Sequence, residues 1–147
     1  MPPFVPASET PAMTPDQQKD HDRLNRYIAR ESLVPVMNNT KWKETILALQ
    51  SVDGFWVQFR VKCLRDMQEP VGWDRSFPYH IPTPYRVIEW LEVNPVVTTR
   101  VGALVKPRQA DFRAAIREAL QRYSIPNEER DGAIRIYGYK RPSNSDS

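Results

Sequence analysis

The 147 residues are 40% hydrophobic and 27% charged, a composition that excludes wholesale disorder and fits one globular domain. A chain of this length buries roughly two thirds of the surface it exposes when unfolded, so it needs no disulfide or metal staple. No apolar run reaches the roughly 18 residues needed to span a bilayer, and the N-terminal MPPFVPASETPAM lacks the basic and continuous apolar regions of a secretion signal. The expected location is therefore the cytoplasm, with no membrane partner, and the single cysteine, Cys63, agrees with a reducing compartment.

The first residues are rich in proline, which removes backbone donors and holds the chain extended, so 1–13 is expected to be a disordered arm. TPDQ then supplies a helix start: Thr14 as N-cap, Pro15 at the first helical position, and Gln17 placed to complete a capping box. This helix is expected over 15–31, with a thin apolar stripe of Leu24, Tyr27 and Ile28 that places it on the outside of the domain. A second helix is read from NNTKWKETILALQ, capped by Asn39 or Thr40, with Trp42, Ile46 and Leu49 facing the core.

After the turn signal at Asp53-Gly54, FWVQFRVKCL alternates. Phe55, Val57, Phe59, Val61 and Cys63 are expected to face inward, and Gln58, Arg60 and Lys62 to face water. Cys63 is read as an inert core residue. YRVIEWLEV is read as a second strand, ended by Asn94-Pro95, and the stretch 96–105 as a short strand or an extended connection. From Gln109 to Tyr123 the spacing of Phe112, Ala115, Ile116, Ala119, Leu120 and Tyr123 predicts an amphipathic helix, with Arg113, Arg117 and Gln121 in solvent. Asp131-Gly132 launches a last strand, AIRIYGYK, with Ile134 and Ile136 opposing Arg135, Tyr137 and Tyr139. The element order predicts an α+β fold, a small, mostly antiparallel sheet of about three to five strands with helices packed on one face. It forms a single domain over 14–141, followed by a disordered tail at 142–147. The last helix is expected to act as a crossover that sets the final strand parallel to an inner one.

Four stretches, NNTKW at 38–42, GWDRSFPYH at 72–80, IEWLEV at 88–93 and GAIRIYGY at 132–139, resemble a group of small bacterial proteins classed together as a domain of unknown function. The resemblance spans about residues 37–141; the link between IEWLEV and the last helix is longer here than in that group. It implies a stand-alone cytoplasmic protein of toxin-immunity-like character, and carries over no catalytic residues.

The chemistry-bearing residues are few. His21, His80 and Cys63 are too scattered for a metal site, and the glycines at 54, 72, 102, 132 and 138 form no phosphate-cradling loop, so no cofactor is expected. His21, in QKDHDRL, is read as solvated. Asp74 and His80 lie six residues apart on a loop; they suit loop-bracing hydrogen bonds, or an acid-base pair in an aromatic pocket.

Phe77 and Trp90 are expected in the core, whereas Trp73 and Tyr79 flank charges in a proline-stiffened segment and are the residue types that anchor interfaces. The leading expectation is thus a non-catalytic protein-binding module, immunity- or antitoxin-like. Trp73, Asp74, Tyr79 and His80 would form its contact surface, with another protein such as a toxin as partner. The net charge of +3 argues against a basic nuclease as that toxin. A small enzyme using Asp74 and His80 is the runner-up. A single-strand nucleic-acid binder is third, disfavoured because the excess charge is small and is interrupted by acids.

Overall fold

The computed structural model describes residues 13–100 and 102–142. Apart from Met13 and Pro142, the expected arm and tail lie outside the described residues. The fold is α+β, and every strand pairing is antiparallel. Helix α1 (Pro15–Arg30) starts with the complete capping box: Gln17 N donates to Thr14 Oγ1 at 3.1 Å, and Thr14 N to Gln17 Oε1 at 2.9 Å. Strand β1 is the short Val34–Pro35. Helix α2 spans Asn39–Gln50 and is capped by Asn38, one residue before the expected cap, because Asn38 Oδ1 accepts from Lys41 N at 2.8 Å. Its buried side is Trp42, Thr45, Ala48 and Leu49, with Ile46 only half-buried.

Strand β2 (Phe59–Cys63) is shorter than the alternation suggested. β3 (Ile88–Val93) starts after a 3-10 turn at Tyr85–Val87, three residues later than expected. β4 (Val96–Thr99) and β5 (Arg108–Asp111) form a separate hairpin. β5 takes up residues expected at the start of the last helix, so α3 is confined to Arg113–Arg122. β6 (Glu128–Arg130) was hidden in the charged stretch NEERD, and turns through Asp131 (φ +52°) and Gly132 (φ +83°) into β7 (Ala133–Tyr137). Two successive left-handed residues make the hairpin twist match that of its strands.

The main sheet has the order β2-β3-β7-β6. β7 therefore pairs antiparallel with β3, not parallel as expected. It is β6, reached through α3, that runs in the direction of β3, and the tight Asp131-Gly132 turn reverses the chain once more. β8 (Tyr139–Lys140) leaves the sheet to pair with β1. Gly138 permits that departure: a Cβ there would lie 2.2 Å from the Ile88 carbonyl oxygen and 3.2 Å from the Trp42 ring.

The two faces of the sheet differ. On one, Phe59, Leu91, Val93, Ile134 and Ile136 join Trp42 and Leu49 of α2 and Ile116 and Leu120 of α3 in the main core. On the other, the register aligns Arg60 with Glu92 and Arg135, and Lys62 with Trp90 and Tyr137. A shift between Lys62 and Cys63 leaves Glu89 unmatched. All six residues of β3 are buried, which is why its alternation was hard to read. α1 packs through Leu24 onto a smaller cluster with Leu33, Leu64 and Tyr139. No described helix is long and apolar enough to cross a membrane.

Candidate functional site

β2 is an edge strand, and the segment from Trp73 to His80 is stitched to it. Asp74 N donates to Phe59 O at 2.7 Å and Phe59 N to Asp74 O at 2.9 Å, a one-residue extension of the sheet. The Asp74 side chain then braces the loop in two directions: Oδ1 accepts from Ser76 N at 2.8 Å, and Oδ2 lies 2.8 Å from His80 Nδ1. His80 N closes the turn onto Ser76 O at 3.0 Å. The Phe77-Pro78 and Thr83-Pro84 peptides are cis. Phe77, expected in the core, is half-buried and meets Phe59 edge-on at 5.4 Å between ring centres.

The structure thus brings Asp74 and His80 together, in the open: the His80 side chain is 61% exposed. The Ser76 amide, followed by the His80 hydrogen bond, holds the Asp74 carboxyl below the usual carboxylate range. Trp73 lies beside them, half-buried, with the Arg60 guanidinium 4.2 Å from its ring centre. Trp73, Asp74, His80 and Cys63 line one cleft of 570 Å³. Cys63 is half-buried rather than in the core, because the register shift at Lys62 ends the alternation there. Burial pushes its thiol up, Asp66 adds to this and Lys62 opposes it, so the sulfur is kept protonated and is a poor nucleophile.

Tyr79 is turned to a second cleft. Trp56 and Tyr79, 67% and 87% exposed, flank a hollow of 510 Å³. Phe55, Val57 and Phe77 contribute apolar surface to it, and Arg75 is its one charged residue. Trp56 was missed by the sequence reading, although the alternation of FWVQFRVKC already set it opposite Phe55 and Val57, on the face away from the core. The expected set Trp73, Asp74, Tyr79 and His80 is therefore divided between two adjoining clefts.

The face of the sheet opposite the helices, expected to be wet, is a layer of paired charge. Glu92, 2% exposed, accepts from Arg60 Nε at 2.8 Å and from Arg135 Nε at 2.8 Å. Glu89, 5% exposed, accepts from Lys62 Nζ at 2.7 Å and from Arg141 Nε at 2.9 Å. Trp90 is buried as expected, but on this face, under the Arg135 guanidinium at 3.8 Å. Desolvation pushes the Glu89 carboxyl up, yet the hydrogen bonds from Arg141 and Lys62 outweigh it, and the group lies below the ordinary glutamate value. Cations committed in this way are not free for phosphates. Arg113 and Arg117, expected in solvent, are likewise tied to Glu129, at 2.9 and 3.5 Å. Among the described residues no three His, Cys, Asp or Glu side chains gather as metal ligands would.

No curated protein and no solved structure matches the chain. Residues 24–143 match the model of a family of unknown function, DUF6678, and the chain belongs to that family.

Proposed function

We propose that this chain is a non-catalytic binding module for another protein, with Trp56 and Tyr79 as the anchors and Arg75 between them. The observation that carries the reading is the pair of exposed aromatics lining one hollow from two separate segments of the chain. Large aromatic and arginine side chains supply most interface energy, and a support ordered before binding loses little entropy on association. The Asp74 hydrogen bonds provide that order for Tyr79. A hollow with one cation and apolar walls suits a partner that presents an acidic side chain among apolar ones. The immunity- or antitoxin-like form of this proposal, a toxin bound in a bacterial cytoplasm, rests on the sequence resemblance alone.

The enzyme reading has one observation in its favour, that Cys63, Asp74 and His80 share a cleft. The raised thiol and the open Asp74–His80 pair favour a structural brace instead. The test is affinity capture with the full chain, followed by measured affinities of purified partner for the wild type, W56A, Y79A and R117A. The proposal expects the first two substitutions to weaken binding by about 30-fold or more, equivalent to about 2 kcal/mol each. R117A should have no effect. Equal affinities for all four proteins would refute it. Loss of a turnover assay's signal in D74N and H80Q, with binding intact, would establish the enzyme instead.

A further inference from the structure

A further cleft of 790 Å³, which shares no lining residue with either hollow, lies between the first turns of α1 and the segments around Leu64 and Arg86. Its volume falls in the range of small-molecule sites. Leu24, Leu64 and Val87, which belong to the apolar cluster that joins α1 to the domain, line it.

Arg86, half-buried on its wall, is unlike the arginines of the sheet face. Arg60, Arg135 and Arg141 each meet a buried carboxylate. Arg86 pairs with none among the described residues: Nη1 donates to His21 Nδ1 at 3.2 Å, Nη2 donates to Asn25 Oδ1, and the buried Nε has no acceptor. The Nε–H is thus buried without an acceptor among the described residues, and a desolvated donor of that kind is costly. His21, expected to be solvated, is half-buried here because it meets Arg86. Arg65 lines the same cleft without a carboxylate partner among the described residues. It is held at φ +77°, where non-glycine residues seldom sit outside functional or tightly constrained sites.

We infer that this cleft binds a small amphipathic monocarboxylate, its carboxylate on the Arg86 guanidinium and its aliphatic tail over Leu24, Leu64 and Val87. The planar fork of arginine matches a carboxylate. Asp20, also in the lining, works against anions of higher charge. The site is separate from the Trp56–Tyr79 hollow and does not depend on the proposed protein partner.

The experiment titrates the full-length protein with octanoate, octanol and acetate, read by calorimetry and by amide chemical shifts. Octanoate should saturate, with shifts centred on Leu24, Leu64 and Val87. Octanol and acetate should each bind at least about tenfold more weakly, because each lacks one half of the recognition. R86Q should lower octanoate affinity about tenfold and leave octanol unchanged. If R86Q does not fold, the comparison of octanoate with octanol on the unaltered protein decides alone. Absence of saturation, octanol binding as tightly as octanoate, or shifts confined to the Trp56–Tyr79 hollow would overturn the inference.

Discussion

On the sheet, Glu89, Glu92 and Arg135 are buried and Trp90 lies beneath a guanidinium, while on the adjoining loop Tyr79 stands 87% exposed and His80 is open to water. The charged residues are inside and several aromatics are outside, the reverse of what residue type alone suggests. Pairing accounts for the first half of that reversal. A carboxylate that accepts two charge-assisted hydrogen bonds recovers much of its desolvation cost, and the aliphatic stems of the arginines cover the apolar surface beneath. Backbone geometry accounts for the second half. The loop is attached through the Asp74 backbone, turned by the Asp74 carboxylate and anchored by Phe77 against Phe59, so the exposed Tyr79 is not needed to hold it in place.

The contrast is broken most sharply by removing one member of a buried pair. E92A leaves Arg135 buried without its anion and should cost about 3–5 kcal/mol in urea unfolding. E118A removes only an exposed contact of 3.7 Å with Arg122 and should cost less than about 0.5 kcal/mol. Equal small losses would mean that the sheet face is wet, as the alternation of β2 alone predicts.

The pH dependence of stability tests the same layer more gently. The Glu89 carboxyl is depressed in the folded state, so its contribution is fully present above the unfolded value of about 4.3 and is lost as pH falls through the lower folded value. E89Q should be less stable at pH 7 by about 1–3 kcal/mol. The difference should shrink as the wild type is acidified below about pH 4.3. A difference that stays constant with pH would show that Glu89 acts through packing and not through charge.

The smallest expected effect belongs to the loop. W56A and Y79A should each change unfolding free energy by no more than about 0.5 kcal/mol, since exposed side chains lose little burial when truncated. A loss of several kcal/mol at either position would return that aromatic to the core and remove the basis for a recognition surface.

Part of the molecule was legible in local chemistry. The capping box of Thr14 and Gln17, the inward Ile134 and Ile136, and the α+β element order all follow from spacing, since caps and periodicities act within a few residues. The closeness of Asp74 and His80 was legible for the same reason: a separation of six residues along one loop leaves them within reach of each other. Tertiary structure decided the rest. Whether Arg60 and Lys62 face water depended on Glu89 and Glu92 arriving opposite them from a strand more than 25 residues away, and on the register shift that brings Glu89 onto their face. The division of Trp73 and Tyr79 between two hollows, the arrival of Tyr79 beside Trp56, and the meeting of His21 with Arg86 across 65 residues are likewise long-range outcomes. Burial and charge pairing are properties of neighbours in space, and for these residues the neighbours come from distant parts of the chain.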